Sequence, residues 1–402
     1  MEHVGAFERY SRFNVRSLNT DTALPTRIAQ LDFQLVIVHY SVLGAGAYAL
    51  NEDHLEWLRT SRAHKVLFAQ DENRYCGHRF WFCDEVGFDT LYTCLEPSEF
   101  DAVYGARTRI PRIRTNLPGY VSDQLVEDGR RFSIPDRERP VDVGYRGREI
   151  PAYSGRGGME KAAIGRRFAE LATDSGLVLD IKVGEESRLY GDRWLRFLSR
   201  CRGVLGVESG VSIFDLDDRV TSEYEEIAAQ GREVRLEDLK SAPALEDNVY
   251  YRTIGPRHFE AAVLRNCQLL FEGRYSGLME PMVHYIPLRK DFSNFDQALA
   301  RFRDPAVRRE LTENAHRDLI ASDRYTYRAL IQAFDDDLVE AGLDPRISGN
   351  DAKLVSRALR RGRWLRQGRG QLRWTYYTYL SPRAVVHQLR RLRRRMRPSA
   401  AE

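Results

Sequence analysis

Residues 250–295 read YYRTIGPRHFEAAVLRNCQLLFEGRYSGLMEPMVHYIPLRKDFSNF, and this stretch contains the clearest structural signals in the chain. Gly255 and Pro256 interrupt the preceding segment. Proline suits the first turn of a helix because its missing N–H would be unpaired there anyway. Apolar residues then recur at helical spacing from Phe259 to Val263. The pattern predicts a turn followed by a short helix that begins at the proline.

The run CQLLFEG that follows, at 267–273, is too short for a helix of its own. It predicts a parallel strand that is buried on both faces. A helix whose first turn carries Arg257 and Glu260 beside such a strand suits a nucleotide. The arginine can fork onto phosphate oxygens, and the carboxylate can accept hydrogen bonds from ribose hydroxyls. An ordinary α/β unit with an Arg–Glu pair on its surface fits the same spacing.

Two stretches resemble the C-terminal half of two-domain (GT-B type) glycosyltransferases: RTIGPRHFEAAVLRNCQLLFE at 252–272 and ELTENAHRDLIASDRYTYRALIQAF at 310–334. The most similar group includes spore-maturation and surface-polysaccharide enzymes. The resemblance implies two Rossmann-like domains that face each other across a cleft. It also implies that Glu260 holds the ribose of a sugar nucleotide and that Arg257 contacts the donor. It covers about 141–335 well and the N-terminal half more loosely.

One departure from the family pattern concerns the stereochemistry of the reaction. Related retaining enzymes have a second glutamate eight positions before the ribose-binding one, and here that position is Arg252. Glu272 and Glu280 have the same spacing, but they flank a loop after the predicted strand, so we regard that match as coincidence. Retention or inversion is therefore left open.

Length and composition predict a two-domain protein. A chain of 402 residues can bury two cores of ordinary size. We expect an N-terminal acceptor-side domain at 1–136, a sugar-nucleotide-binding domain at 137–343 and a tail at 344–402. No apolar run approaches the ~20 residues of a spanning helix. The five cysteines are odd in number and lack metal-ligand spacing, which is typical of a reduced cytoplasm.

Charge divides the chain sharply. Residues 344–402 contain 16 Lys and Arg against 3 Asp and Glu, a net charge of +13, so the other 343 residues carry −9 of the total of +4. Arginine-rich helical segments around the aromatic run WTYYTYL favour an anionic membrane surface. An acidic protein partner and nucleic acid are the alternatives, and the acidic body disfavours nucleic acid. We therefore expect a cytoplasmic protein that associates peripherally with the inner face of the cytoplasmic membrane.

The N-terminal half alternates strand and helix patterns, which predicts a parallel, doubly wound sheet. A helix is expected over 2–12, and strands over 13–18 and 31–41, the second of them central because its apolar run is continuous. Buried strand patterns also occur at HKVLFAQDE, TLYTCLE and RIPRIRTN. Domains of this type usually begin with a strand and a glycine-containing loop, but this chain opens on the helix.

Candidate catalytic residues follow these predicted strands, because ligands bind outside the carboxyl ends of parallel strands. His39 ends one strand, and Asp71 with Glu72 ends the next. A histidine or a carboxylate at this edge can serve as a base or bind a sugar hydroxyl. A structural histidine and helix-capping carboxylates would have the same pattern.

Besides Arg257 and Glu260, the donor site is expected at two places in the second half. The resemblance places the loop after PVDVGYRGRE near the donor phosphates, where Gly147 would allow close backbone approach and Arg146 or Arg148 would supply charge. The strand CRGVLGVESG ends at the same edge, and its last three residues are Glu208, Ser209 and Gly210.

The resemblance, taken with these features, implies a glycosyltransferase of hexosyltransferase type that acts on a glycan or lipid-linked acceptor in surface polysaccharide or glycoconjugate synthesis. No metal or other cofactor is expected, because arginines and a helix dipole can offset the diphosphate charge. The Asp215–Asp217 pair lies in an irregular segment and does not indicate a metal site. A sugar-nucleotide epimerase and an inactive, membrane-associated scaffold are the alternatives.

Overall fold

The computed structural model describes residues 2–20, 23–44, 47–48 and 50–346. In these residues the α-helices are α1 Glu2–Tyr10, α2 Thr26–Ala29, α3 Glu52–Thr60, α4 Cys76–Val86, α5 Asp123–Phe132, α6 Gly155–Leu171, α7 Asp192–Ser199, α8 Arg219–Ala229, α9 Ala242–Leu245, α10 Pro256–Val263, α11 Phe295–Arg303, α12 Pro305–His316 and α13 Tyr327–Glu340. The strands are β1 Leu35–Val38, β2 Leu43–Gly44, β3 Ala47–Tyr48, β4 His64–Phe68, β5 Thr90–Thr93, β6 Arg112–Thr115, β7 Val141–Gly147, β8 Leu179–Val183, β9 Cys201–Gly206, β10 Ser209–Gly210, β11 Arg252–Thr253, β12 Cys267–Phe271 and β13 Ile286–Leu288.

The first sheet has four parallel strands in the order β1–β4–β5–β6. Strand β4 lies inside it, and Val66, Leu67 and Phe68 have no exposed surface. Because neighbouring side chains of a strand point to opposite faces, Leu67 packs with α3 and α4, whereas Val66 and Phe68 pack with α1 and α13. Helices therefore cover both faces of this sheet.

Two predictions about this sheet are wrong. The apolar run at 31–41 forms β1, which is an edge strand rather than a central one, and most of its side chains are only half-buried. Residues 13–18 form no strand, and Phe13 and Val15 pack instead beside α1 and α13. An apolar run indicates burial, but helices bury side chains as well as neighbouring strands do.

The second sheet has five parallel strands in the order β13–β12–β9–β7–β8. All five residues of β12 are buried, which confirms the strand predicted from CQLLFEG. Leu269 and Phe271 pack on the face covered by α6 and α11, and Leu270 packs on the opposite face with α7 and α10. Pro256 occupies the first turn of α10, as predicted. Two doubly wound parallel sheets confirm the α/β fold class.

Two helices cross between the sheets. Helix α5 belongs to the predicted first domain, but Phe132 and its neighbours pack with α7 and α10 of the second sheet. Helix α13 belongs to the predicted second domain, but Ile331 and Phe334 pack on the first sheet. The chain therefore exchanges one helix in each direction, which ties the two halves together.

The segment 211–251, which contains the irregular stretch around Asp215–Asp217, leaves the second sheet and packs on the first. Val211, Phe214 and Tyr251 are buried in the same core as α4. The Asp218 carboxylate accepts hydrogen bonds from the N–H groups of Cys76 (2.9 Å) and Gly77 (3.1 Å) at the start of α4. An acidic cap at a helix N-terminus is favourable because unpaired N–H groups and the helix dipole meet there.

The carboxyl ends of the two sheets lie close together, since Arg274, which follows β12, donates to Glu96, which follows β5, at 3.0 Å. We call the space between these ends the cleft. No helix of the described residues is long and apolar enough to cross a bilayer. All five cysteines are buried and unpaired. Residues 347–402, which hold nearly all of the predicted basic tail, lie outside the described residues.

Candidate functional site

Arg146 ends in the interior of the second domain rather than in the cleft. Its guanidinium donates to the carbonyl (2.7 Å) and to the carboxylate (2.8 Å) of Asp180 on the neighbouring strand. It also lies over the ring of Phe197, 4.0 Å from the centroid. The side chain is 7% exposed. It is therefore not available to a phosphate, which corrects the predicted role of Arg146.

The side chains of Arg257, Trp194, Phe197 and Arg146 form a series of stacked contacts. The Arg257 guanidinium lies 5.0 Å from the Trp194 ring, which stacks on Phe197 at 5.6 Å and 27°. Phe197 in turn lies over Arg146. Arg257 Nη1 also donates to the Arg146 carbonyl at 2.6 Å. Arginine over an aromatic face is attractive because the ring face carries partial negative charge. The stack holds Arg257, itself exposed, at the start of α10.

Glu260 lies one turn along α10 and is held by the same tryptophan. The Trp194 indole Nε1–H donates to Glu260 Oε2 at 2.8 Å. Burial raises the pKa of Glu260, while the bond from Trp194 and the nearby Arg257 oppose that rise. The predicted ribose-binding carboxylate and the predicted donor-binding arginine are thus brought together around one aromatic ring.

Lys161, which the sequence did not single out, provides the central charge of the cleft. Burial lowers the pKa of its amine, Arg148 and Arg257 lower it further, and Asp71 and Glu160 raise it. Its Nζ donates to the carbonyl of Gly210 at 3.4 Å. Arg148, Lys161 and Arg257, here called the cleft cations, therefore act on one another at the carboxyl edge of the second sheet.

The glycines of the predicted site are required by close packing. A Cβ atom at Gly147 would lie 2.7 Å from the carbonyl oxygen of Lys161, so β7 can end against α6 only without a side chain. Gly210 has a φ of +109°, a conformation that favours glycine. Ser209 and Gly210 pair with Thr253 and Arg252 in a two-residue ladder. These residues shape the floor of the cleft.

Glu208 does not face a ligand as predicted. Its carboxylate accepts from the N–H of Tyr275 (2.7 Å) and from the hydroxyl of Tyr250 (3.0 Å). The residue is 9% exposed, and burial raises its pKa. Both partners lie on segments that border the cleft. Glu208 therefore links the segments that contain Tyr250 and Tyr275 through hydrogen bonds to its carboxylate.

His39 is engaged within the first domain. Its Nε2 lies 2.9 Å from Nδ1 of His3, and its Nδ1 lies 2.9 Å from the Ser41 hydroxyl. Burial lowers the pKa of His39 to about 4. The imidazole is neutral near pH 7, and both ring nitrogens are occupied, so the arrangement favours a structural histidine.

Glu72 is fully buried beneath the cleft. Its carboxylate accepts from the hydroxyls of Thr93 (2.8 and 2.7 Å) and Tyr104 (2.6 Å) and from the N–H of Cys94 (3.0 Å). No oxygen of Glu72 is left for a substrate, which corrects its proposed catalytic role. A buried carboxylate is tolerated because donors satisfy both of its oxygens.

Asp71, the neighbour of Glu72, has the opposite environment. It is exposed, its φ is +53°, and its carboxylate makes no hydrogen bond or ion pair with the described residues. Its charge nevertheless acts on Lys161 of the other domain. Of the three candidate catalytic residues, Asp71 is the one that the structure leaves open to the cleft.

Arg252 occupies the position at which the related retaining enzymes have a glutamate. Its positive charge is balanced here by neighbouring carboxylates. It donates to both oxygens of Glu160 (3.1 and 3.3 Å) and to Asp247 (3.0 Å). Lys290 adds a second cation to Glu160 at 2.6 Å. This network borders the cleft beside the cleft cations.

Asp71, Lys161, Arg257 and Glu260 thus lie at one cleft. The side chains of Arg146, Glu208 and Glu72 are instead engaged by other residues of the protein. Sequence reasoning missed Lys161 and Trp194. The glycine-rich start of α6, GRGGMEK, is the one local signal for Lys161, since small residues there let strand and helix approach closely. For Trp194 no local signal exists, because Arg257 and Glu260, the site residues that it contacts, lie more than 60 residues away.

No protein-family model and no curated protein sequence matches the chain. Solved structures do resemble it. Sucrose-phosphate synthase from Thermosynechococcus elongatus is 12% identical with a TM-score of 0.45, and the match covers 79% of this chain and 75% of that one. A glycosyltransferase from Rickettsia africae is 7% identical with a TM-score of 0.46, covering 78% and 79%. Anabaena HepE, solved in complex with UDP-glucose, is 11% identical with a TM-score of 0.43, covering 78% and 81%.

Proposed function

We propose that this protein is a metal-independent glycosyltransferase that moves a hexosyl group from a nucleotide-sugar donor to a glycan or lipid-linked acceptor. The observation that carries the proposal is the set of cleft cations beside a carboxylate held at the start of a helix. Such a site suits a ligand with a negative diphosphate next to a ribose.

The cleft cations would bind the diphosphate. Lys161 is half-buried, so water screens its charge less than that of a surface lysine. Arg257 adds a planar guanidinium, which can hold two phosphate oxygens at once. The start of α10 adds the positive end of a helix dipole. These groups would stabilise the charge that develops on the diphosphate as the sugar leaves.

Glu260 would hold the ribose. Its Oε2 is taken by Trp194, whereas Oε1 accepts no hydrogen bond from the described residues and is not buried. A ribose hydroxyl is a suitable donor to that oxygen. The distance between Glu260 and the cleft cations is short enough for Arg257 to affect both the carboxylate and Lys161.

The acceptor would enter from the first domain, beside Asp71. In the transfer step the bond between the anomeric carbon and the β-phosphate oxygen breaks, and the nucleoside diphosphate keeps the bonding electrons. The acceptor oxygen forms the new bond to that carbon, and its proton passes to the Asp71 carboxylate. Asp71 is free to take this proton because no described residue occupies its oxygens.

A role in surface-polysaccharide or glycoconjugate synthesis would place the acceptor at a membrane, which the charge of residues 344–402 favours. The tail would then hold the protein at the inner face of an anionic bilayer while the acidic body remains in water. This part of the proposal rests on charge and composition.

Incubation of the full chain with a panel of UDP-, GDP- and dTDP-sugars tests the proposal. We expect slow hydrolysis or transfer from one class of donor, with release of the nucleoside diphosphate, and the same rate in the presence of EDTA. An epimerised sugar nucleotide without cleavage would indicate an epimerase instead. A chain that binds no donor in the panel would contradict the proposal.

A further inference from the structure

We propose that Trp194 is a positioning residue that makes the donor site selective for ribonucleotides over 2′-deoxyribonucleotides. It does so by holding one oxygen of Glu260, so that the other oxygen faces the sugar of the nucleotide in a fixed direction. This inference rests on the proposed function, because it assumes that the cleft binds a nucleoside diphosphate.

First, the two carboxylate oxygens of Glu260 have different environments. Oε2 accepts from the indole N–H at 2.8 Å. Oε1 accepts from no described residue and remains accessible. A carboxylate that is fixed at one oxygen cannot rotate to present either oxygen, so the remaining acceptor has one orientation. A ligand must bring its own donor to that position.

The second step is that the tryptophan itself is fixed. Its ring contacts both the Arg257 guanidinium and the buried Phe197 ring, and Phe197 in turn packs against Arg146. Arg146 is held in turn by its ion pair with Asp180. The indole therefore cannot turn away from Glu260 without breaking the stack. The burial of Arg146, unexplained by phosphate binding, is accounted for by this role.

The third step concerns the missing hydroxyl. We assign Oε1 to the 2′-hydroxyl, so a 2′-deoxyribonucleotide, which keeps only its 3′-hydroxyl, would cover Glu260 without offering the donor that Oε1 lacks. A charged oxygen that loses water and gains no hydrogen bond is strongly unfavourable, so such a site rejects the analogue that lacks the hydroxyl. Without the indole N–H, the carboxylate can turn or keep a water, and the penalty for the deoxy ligand falls.

The experiment compares UDP with dUDP, and GDP with dGDP, by calorimetry on the full chain. The test variant is Trp194→Phe, which keeps an aromatic ring in the stack but has no N–H. Trp57→Phe makes the same chemical change in the first domain and serves as the control. Trp194→Met, which also lacks a donor, replaces the test variant if the phenylalanine form does not fold.

For the wild type and Trp57→Phe we expect the ribonucleotide to bind at least about tenfold more tightly than its deoxy analogue, the effect of one hydrogen bond to a charged group. For Trp194→Phe we expect this ratio to fall below about threefold, mainly through weaker ribonucleotide binding. A residue that only supports the fold would weaken both ligands equally and leave the ratio unchanged.

Two results overturn the inference alone: a wild-type ratio near one, or a ratio that Trp194→Phe leaves unchanged. If the wild type binds no nucleoside diphosphate at all, the proposed function itself is wrong. Glu260→Gln separates the two roles further, because it should lower the ratio even though Trp194 is intact.

Discussion

The hydroxyl of Tyr251, in the second half of the chain, makes two hydrogen bonds with Glu72 in the first half. It accepts a hydrogen bond from the Glu72 N–H at 3.2 Å and donates to the Glu72 carboxylate at 3.4 Å. Burial raises the pKa of Tyr251 well above its ordinary value, and the charge of Glu72 raises it further. The tyrosine therefore stays protonated and ties the segment 211–251 to Glu72, which follows β4.

This contact predicts that Glu72 serves stability rather than catalysis. In Glu72→Gln the new amide N–H₂ would face hydroxyl and N–H donors that now point at a carboxylate. We expect the free energy of unfolding to fall by about 1–3 kcal/mol, the cost of leaving buried polar groups unpaired. Urea denaturation of the purified variant measures this loss. Asp71→Asn is the matched control, because it alters the neighbouring exposed carboxylate and should change stability by less than about 0.5 kcal/mol.

Asp71 is expected to act on turnover. Asparagine preserves its left-handed backbone conformation, which an alanine would strain. If Asp71 takes the acceptor proton, Asp71→Asn should lower kcat by about 10²-fold or more while donor affinity changes little. Steady-state kinetics and donor titration separate the two quantities. A variant that turns over at the wild-type rate would place the base elsewhere, and His39→Gln, treated in the same way, would then test the remaining candidate.

Lys161 is expected to recognise the diphosphate. Lys161→Gln removes the charge but keeps much of the side chain, so the affinity for a nucleoside diphosphate should fall about tenfold or more. Affinity for the corresponding nucleoside, which has no phosphate, should not change. Lys182→Gln, an exposed lysine on the edge strand β8, is the control for the loss of one positive charge. Equal weakening by both variants would indicate a general charge effect rather than a contact.

The pH dependence of stability should reveal the buried histidines. Burial lowers the pKa of His258 from 6.5 to about 4, and the charge of Arg257 lowers it further. In the neutral ring Nδ1 accepts a hydrogen bond from the Gly255 N–H at 3.0 Å. The unfolded chain therefore binds a proton that the folded chain excludes, and stability falls as the pH drops from about 6.5 toward 4. His3 and His39, with pKa values of about 3 and 4, act in the same direction.

His258→Asn isolates one of these groups, since the asparagine oxygen can replace Nδ1 as the acceptor. Inside that window the difference in unfolding free energy between wild type and variant should change by up to about 1.4 kcal/mol per pH unit. Chemical denaturation at a series of pH values measures the slope. Parallel curves for the two proteins would show that His258 titrates normally in the folded chain.

The basic tail is expected to bind anionic membranes through charge. Residues 344–402 carry +13 against −9 in the rest of the chain. The Debye length shortens from ~10 Å at 0.1 M salt to ~3 Å at 1 M. The full chain should therefore co-sediment with anionic vesicles at low salt and be released at high salt. A truncated chain that ends at Leu343 should stay in the supernatant and still bind donor. Equal binding to zwitterionic vesicles, or tight RNA binding without vesicle binding, would contradict this prediction.

Local pattern was enough to identify most elements of the fold. The helix that begins at Pro256 and the buried strand Cys267–Phe271 follow from features within a few residues: a missing N–H, a 3.6-residue period and a short apolar run. The parallel arrangement follows from the alternation of strands and helices. The place of a strand within its sheet does not, and Leu35–Val38 is at an edge although its run is fully apolar.

The composition of the site, in contrast, was decided by tertiary structure. Asp71 and Glu72 are neighbours in sequence but differ in exposure. Asp71 is exposed, whereas the buried Glu72 carboxylate is hydrogen-bonded to Thr93, Tyr104 and Tyr251. Arg146 was predicted to bind phosphate, but its guanidinium pairs with Asp180 and packs on the Phe197 ring. Local sequence pattern was sufficient to predict which residues follow the carboxyl ends of the strands. Tertiary structure decided which of them keep their charge free, because the partners that neutralise or bury a side chain come from distant parts of the chain.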